Sequence, residues 1–271
     1  MAIITLTTDY GTKDYHAASV KGSILRELPD AHIVDVTHEI RPFNLSEAAY
    51  VLRNAYKDFP KGSIHIIGID SELTESKPHL AVEVDGHFFI GADTGIFALL
   101  FPDLRPSAII ELNIAQDTDS YSFPARDVFV TAACHLARGG KISLLGSARR
   151  AFVERKGIQP SVTSDGKEIT AAVVYIDHFG NVVTNVTRQI FKDIGKGRDF
   201  EIHLPRMRHS KESIRTLRRR YSEMGEGQAL ALFNSAGHLE IAIAKSDLQT
   251  VGGASSLLGI SYGETIKITF A

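Results

Sequence analysis

A chain of 271 residues is long enough for one large domain or two ordinary ones. With 44% hydrophobic and 23% charged residues it has the composition of a globular protein with a sizeable core. A formal net charge of −2 gives no field strong enough to recruit nucleic acid or an anionic membrane. Cys134 is the single cysteine, so an internal disulfide is excluded and a reducing compartment is expected. It falls in an apolar helical pattern and reads as a buried, inert thiol. Met1-Ala2-Ile3-Ile4-Thr5 has no basic stretch before its apolar run and reads as a strand, not a signal peptide. No apolar run is long enough to span a bilayer. A cytoplasmic protein is expected.

The first strand covers Ala2 to Leu6. Thr7 to Tyr15 is a turn, followed by a helix with Val20, Ile24 and Leu28 on one face, interrupted by Gly22. Ala31 to Val36 is a second strand, and Thr37 to Phe43 a loop at its carboxyl end. Asn44 and Glu47 form a capping pair for a helix with Ala48, Val51, Leu52 and Tyr56 on its apolar face. Ser63 to Ile69 is a strand apolar enough to be covered on both faces, and it delivers Asp70 to its end. Leu80 to Val84 and His87 to Ile90 form a hairpin around Asp85-Gly86. A loop, Gly91 to Gly95, leads into a helix from Ile96 to Phe101. A strand at Ala108 to Leu112 and a helix at Asp127 to Ala137, ended by Gly139-Gly140, complete this part. Strands alternating with helices predict an α/β domain over residues 1–150 with a largely parallel sheet.

The run 139–167 is polar, with Gly and Pro, and reads as a linker and crossing segment. Short strands follow at Ile169 to Ile176, Phe200 to Leu204, Ala229 to Phe233, His238 to Ala244 and Thr265 to Phe270. They predict a smaller β-rich domain, a barrel or sandwich, over residues 168–271. A basic run from Arg206 to Arg220 carries seven Lys or Arg residues. Glu212 and Glu223 interleave or flank it and aromatics are sparse, so it reads as a solvated loop or helix rather than a nucleic-acid patch.

Four acidic loops fall at predicted strand ends: Asp9 with Asp14, His38 with Glu39, Asp70 with Glu72, and Asp93. In an open α/β sheet, that edge is where ligand crevices form. Gly11 lets the backbone turn sharply and approach a ligand. Asp9 or Asp14 can accept two hydrogen bonds from a vicinal diol such as that of a ribose. Equally, Asp14 can cap the helix and Asp9 can satisfy turn amides. No pair of His and Asp has a metal-ligand spacing, and His38 and His135 read as structural. Gly11 lacks the further glycines of a dinucleotide loop, and there is no nucleophile elbow. Later, Ile176 to Asn185 turns at Gly180, where Asn181 can meet a purine edge and Phe179 a base face; a capped hairpin is the structural alternative. In the stretch Phe233 to Ala242, turn amides and the Ser235 hydroxyl can hold a carboxylate.

Taken together these stretches resemble the S-adenosylmethionine hydroxide adenosyltransferase family, relatives of the fluorinating and chlorinating enzymes. The resemblance runs nearly end to end. It rests on Thr8-Asp9-Tyr10-Gly11 with Asp14, Val34 to His38, Asp70, Phe123 with Arg126-Asp127, Asp177 to Asn185, and Asn234 to Ala242. It implies an N-terminal α/β domain, a C-terminal β-barrel and a homotrimer, with active sites shared between subunits. It implies hydroxide attack, derived from water, at the ribose 5′ carbon of S-adenosylmethionine, giving adenosine and methionine without metal or cofactor. By resemblance Asp9 binds the ribose diol, Asp14 the methionine amino group, and Ser235 the methionine carboxylate. Phe179 and Asn181 hold adenine, while Tyr10, Phe123 and Asp177 join the substrate-binding set, as do Asn234, Glu240 and Ala242. Asp70 orients or deprotonates the water.

This chain departs from the family at the water. Lys77 stands where an arginine is usual, keeping the charge but losing the planar fork. Pro124 stands where a histidine follows the phenylalanine, and it cannot transfer a proton. Ser71-Glu72-Leu73-Thr74 replaces a small-residue turn, and Asp93-Thr94-Gly95 an asparagine-glycine turn. His79 is close enough in sequence to compensate. Asp70 and Lys77 are therefore expected as an altered catalytic pair. A non-catalytic adenosyl binder and a hydrolase of another nucleoside are the alternatives. Halogenation is disfavoured, because Ala125 lies where a hydroxyl would line a halide pocket and no added loop follows Asp70.

Overall fold

A computed structural model describes residues 3–116, 121–204 and 213–271. The chain divides into two compact units, Met1–Gly157 and Ile158–Ala271. Both are built on β-sheet, the first with helices on two faces. Among the described residues no helix is long and apolar enough to cross a membrane.

In the first unit, β1 (Ile3–Thr8), β2 (His32–Thr37), β3 (Ile64–Gly68), β4 (His79–Val84), β5 (His87–Ala92), β6 (Ala108–Leu112) and β7 (Gly146–Ala148) form one sheet. Its order is β2-β1-β3-β5-β4-β6-β7. Helices α1 (His16–Glu27) and α4 (Val130–Ala137) cover one face, where Val20, Ile24, Ala133 and Leu136 pack with Ile4, Leu6, Ile64 and Ile66. Helices α2 (Leu45–Ala55) and α3 (Ile96–Leu100) cover the other, with Leu52 and Phe97 against Ile67, Ile69 and Phe89. The two-residue alternation of β3 thus feeds both cores, as its unbroken apolar run requires.

The expected largely parallel sheet is instead mixed. Pairings β1–β2, β1–β3 and β3–β5 are parallel. Pairings β4–β5, β4–β6 and β6–β7 are antiparallel. The cause is the Asp85-Gly86 turn, both residues at positive φ (52° and 74°), which reverses the chain at once and pairs β4 with β5. Gly22 does not break α1, which runs through it; a Cβ there would meet nothing within 4 Å. The expected helix at Asp127 starts as a π turn, Ala125–Phe129, and becomes α-helical at Val130. The expected linker contributes β7. A Cβ at Gly146 would come within 1.9 Å of the Glu111 carbonyl, so only glycine lets this edge strand approach β6.

In the second unit, strands β8 (Ser161–Val162), β9 (Glu168–Ile176), β10 (Val182–Thr187), β11 (Phe200–His203), β12 (Leu217–Arg218), β13 (Ala229–Phe233), β14 (His238–Ile243) and β15 (Thr265–Phe270) form a sheet curled into a half-barrel. The order is β11-β15-β9-β10-β14-β13-β12, with β8 on β9. Its core combines Ile169, Val182, Ile241, Ile266 and Ile268 with side chains of α5 (Arg188–Gly195) and α6 (Ala254–Leu258). The basic run lies partly outside the described residues. In the described part, Arg215 pairs with Glu201 at 3.3 Å and Arg218 belongs to β12.

A polar chain is buried in the first unit. Thr5 Oγ1 lies 2.7 Å from His65 Nδ1, and His65 Nε2 lies 3.2 Å from His87 Nδ1. The His65 ring stacks on Phe89 with centroids 4.6 Å apart. Burial and the neighbouring His87 hold the His65 pKa down to about 3, and burial with the Lys61 charge lowers that of His87. Both imidazoles are neutral when folded and titrate near 6.5 once the chain unfolds. Folded values below the unfolded one leave stability complete above about pH 6.5 and drain it as pH falls toward 3. For His65 the slope should approach about 1.4 kcal/mol per pH unit, and His87 adds to it in the same direction. Urea denaturation between pH 7 and 4.5 measures it; a slope that fails to shrink in His65→Leu would clear this pair of the acid sensitivity.

Candidate active site

Because β1 and β3 are parallel neighbours, Thr8 pairs with Gly68 and the chain leaves both strands at the same edge. Asp9 follows Thr8 directly, and Asp70 follows Gly68 after Ile69. Gly11, at φ 65°, turns the first loop, and its N–H donates to the His38 carbonyl at 2.7 Å. The Ile40 N–H donates to the Thr8 carbonyl at 3.3 Å. Asp9 Oδ2 accepts the Phe43 N–H at 2.9 Å. Burial raises the Asp9 pKa, the Phe43 bond works against that, and the charge of Asp70 adds to it. Asp9 therefore does satisfy an amide, and it also feels the second carboxylate. Asp14 does not cap α1: the N-cap is Tyr15, with no side-chain bond, and Asp14 lies exposed on the turn.

Asp70 adopts a left-handed conformation, φ 45°, sparsely populated by non-glycine residues. Its Oδ1 accepts Lys77 Nζ at 2.7 Å, both side chains being partly buried. The Lys77 N–H donates to the Thr74 carbonyl and hydroxyl, both at 3.1 Å, folding the 70–77 loop back on itself. Tyr10 OH lies 3.5 Å from Ser71 Oγ, and burial pushes its pKa up to about 12, so it stays a neutral phenol. A Cβ at Gly68 would sit 2.8 Å from that phenol oxygen, so the glycine makes its room.

The Tyr10 ring meets Phe123 edge-on at 5.7 Å, and the Arg126 guanidinium lies over Phe123 at 5.2 Å. Arg126 forks onto Asp127 at 2.5 and 3.0 Å. Asp9, Tyr10, Asp70, Lys77 and Phe123 are thus linked through contacts within the first unit. Two expectations end differently, one for the fourth acidic loop and one for His79. Asp93 is buried and both its oxygens accept the Val153 N–H, at 2.9 and 3.1 Å, so it braces the loop. His79 donates from Nε2 to the Ser71 carbonyl at 2.8 Å, burial lowers its pKa, and it holds the loop that follows Asp70.

The second unit carries its own polar cluster. Asp177 Oδ1 accepts the N–H groups of Phe179 (2.9 Å) and Asn181 (2.8 Å), and Oδ2 accepts Asn181 Nδ2 at 2.9 Å. The turn leaves Phe179 exposed, a free face for stacking, while Asn181 is buried with its Oδ1 unpartnered. Glu240 is buried beside them; Tyr221 OH donates to its Oε1 at 2.8 Å and Asn234 Nδ2 to its Oε2 at 3.1 Å. Burial raises its pKa against those two bonds, and the charge of Asp177 raises it further. Ser235 is exposed at the tip of the Asn234–Gly237 turn, whose ends close through Gly237 N–H to the Asn234 carbonyl at 2.9 Å. Ala242 is fully buried in β14. Tyr221 is a member that sequence reasoning missed, since no motif marks a tyrosine beyond a basic run.

Among the described residues no group of three or more His, Cys, Asp and Glu is placed to hold a metal ion. The first unit's cluster brings together carboxylates, a lysine and aromatic rings, and the second unit's own cluster carboxylates, amides and a phenol.

The chain is similar to known proteins over nearly its whole length. The (R)-S-adenosyl-L-methionine hydrolase of Methanocaldococcus jannaschii is 29% identical over 276 residues, covering 99% of this chain and 96% of its own. A fluorinase of Nocardia brasiliensis is 22% identical over 274 residues, covering 89% of each chain. The crystal structure of an uncharacterized conserved protein from Thermotoga maritima superposes with a TM-score of 0.85 at 26% identity, over 98% of this chain and 100% of that one. The model of the SAM hydroxide adenosyltransferase N-terminal domain matches residues 4–146, and that of the C-terminal domain residues 171–267. With both halves matched in order, the chain belongs to the SAM hydroxide adenosyltransferase family.

Proposed function

We propose that the protein hydrolyses S-adenosyl-L-methionine to adenosine and L-methionine by attack of a water-derived hydroxide at the ribose 5′ carbon. The observation that carries this is the pairing of Asp9 with Asp70–Lys77 at the ends of adjacent parallel strands. It sits in a chain that matches S-adenosylmethionine hydrolases over nearly its whole length. One carboxylate suits the ribose diol, and the other suits the water.

The chemistry asks for little else. The sulfonium is already a good leaving group, so no cofactor is required and S-adenosylmethionine is simply the substrate. The O–C5′ bond forms as the C5′–S bond breaks; the electron pair stays on sulfur as the methionine thioether, and the water's proton is released. What the protein must supply is an in-line, dehydrated nucleophile. In this reading Asp70, held by Lys77, orients the water and takes its proton. Asp9 holds the diol, and Tyr10 and Phe123 wall the reacting carbon from solvent. Asp14, free of a capping role, takes the methionine amino group. Phe179 and Asn181 hold adenine, with Asn181 fixed by Asp177. Ser235 meets the methionine carboxylate, and Asn234, Glu240 and Ala242 complete the second unit's contribution.

The finer architecture belongs to the same proposal. The bridge from Ile202 in β11 to Ile214, just before β12, supports reading the curled sheet as a small closed barrel. The two units are then an α/β domain and a β-barrel domain. The homotrimer, which light scattering can test, and a cytoplasmic location remain parts of the proposal.

Incubation with S-adenosylmethionine in water enriched in oxygen-18 should release adenosine labelled at the 5′ hydroxyl, together with methionine, as read by chromatography and mass spectrometry. Asp70→Asn should lower kcat about 100-fold or more. Unlabelled adenosine, or no adenosine, refutes the reaction. Lys77→Met should cost about tenfold or more in kcat, and Lys77→Arg much less, since a charge-assisted bond to Asp70 survives. Equal losses in the two would show that Lys77 does not act through its charge.

A further inference from the structure

The stretch Val34 to His38 has no part in the chemistry above, yet it is wired to it. Asp35 lies in β2 and His38 just beyond it. The β1–β2 register runs Leu6 to Asp35 and then Thr7 to Thr37, skipping Val36. This bulge shifts the strand's alternation by one, so that Asp35 and His38, three apart, come to the same side. His38 is 4% exposed and Thr8 1% exposed. His38 Nδ1 lies 2.7 Å from Thr8 Oγ1, and Nε2 lies 3.1 Å from Asp35 Oδ1, close enough for attraction although off the line of a straight hydrogen bond. Asp35 also accepts Lys21 Nζ of α1 at 2.5 Å. At the other end, the Tyr10 N–H donates to Thr8 Oγ1 at 3.4 Å.

The directions of these bonds agree. A carboxylate beside Nε2 favours the proton on that nitrogen, which leaves Nδ1 as an acceptor. The Thr8 hydroxyl then donates to Nδ1, and its lone pair receives the Tyr10 N–H. The residue between Thr8 and Tyr10 is Asp9. Its backbone is held on one side by this chain and on the other by the Gly11 N–H on the His38 carbonyl, at 2.7 Å. Its side chain is held by the Phe43 N–H on Oδ2. His38 thus grips the Asp9 turn twice, through its ring and through its carbonyl.

We infer that His38, acting through Thr8, is a positioning residue that aims the Asp9 carboxylate, and so sets a preference for ribose over 2′-deoxyribose in the substrate. This rests on the ribose reading of Asp9. A carboxylate aimed at a vicinal diol makes two charge-assisted bonds, and one of them is absent when the 2′ hydroxyl is missing. A carboxylate free to swing loses the pair's geometry and with it most of the discrimination. A scaffolding role alone predicts something else: an equal loss for both sugars.

The test compares adenosine with 2′-deoxyadenosine by calorimetry, and S-adenosylmethionine with its 2′-deoxy analogue by kcat/KM, in the wild type, Thr8→Val, Thr8→Ser and His38→Asn. Thr8→Val keeps the shape and removes the hydroxyl, so the ribose preference should fall about tenfold, mostly at the ribo ligand's expense. Thr8→Ser should keep it. His38→Asn retains a hydrogen-bonding atom near the Nδ1 position and should keep much of it, even if Thr8→Val folds poorly. A preference that is equal in the wild type and Thr8→Val, whether binding is unchanged or weakened alike for both sugars, overturns the inference. Nucleoside binding is read apart from turnover. A wild type that binds adenosine with preference but releases no product would sink the hydrolytic reading alone. One that shows no preference sinks the ribose role of Asp9 and this inference together.

Discussion

The feature on which the candidate site depends is the parallel pairing of β1 with β3, in which Thr8 lies opposite Gly68. Parallel neighbours end at the same edge of a sheet, so the two loops that follow must share a crevice. This pairing brings the carboxylate at position 9 near enough to feel the one at position 70. The pairing survives because both strands are buried on both faces, and a one-residue slip would turn Ile4 and Leu6, or Ile64 and Ile66, out of their core. Core packing therefore fixes the register, and the register fixes the distance at which Asp9 senses the charge of Asp70. Gly68 contributes by omission, since the room of its missing Cβ is taken by the Tyr10 phenol.

Much of this was legible in the sequence because it is local. The Asn44 cap appears as expected, its Oδ1 accepting the Glu47 N–H at 3.1 Å, and the Asp85-Gly86 hairpin forms where its two turn residues stand. The strand ends that carry Asp9 and Asp70 follow from apolar runs. The sheet's direction was less legible, although the hairpin already implied it: a two-residue turn cannot join parallel strands, so β4 had to run against β5. The edge strand β7 was hidden because its three residues have no apolar signature, only a glycine whose missing side chain lets it close on β6.

What the sequence hid most completely is the support beneath the site. Thr8 and His38 are thirty positions apart, and Tyr221 and Glu240 nineteen. Such pairs are created by the sheet order and by a bulge, neither of which leaves a periodic trace. The same holds for residues whose type suggested chemistry and whose contacts give them another task. Asp93 looked like a fourth acidic loop and is bound by the Val153 amide on both oxygens. His79 looked like a spare base and is bound to the Ser71 carbonyl. In each case a buried polar group found its partner within the fold, which is the commoner fate of such groups.

On the proposed reaction, the ion pair of Asp70 with Lys77 bears on how a lysine can serve at this position. The substrate carries a positive sulfonium, and that charge disappears as the C5′–S bond breaks. A carboxylate near the sulfur stabilises the bound substrate more than the transition state, so on the proposed reaction Asp9 and Asp70 unbalanced would hold the substrate tightly and slow it. Lys77 offsets the charge of Asp70, beside which the nucleophile sits on the proposed reaction. It needs no planar fork for this, because the task is to neutralise and orient one carboxylate rather than to grip a ligand bidentately. An attacking water that gains negative character also benefits from a cation beside its acceptor. On the proposed reaction, the departure at position 77 therefore changes the geometry of the water's support while leaving its electrostatics in place, and the burden of precision passes to the residues that aim the sugar.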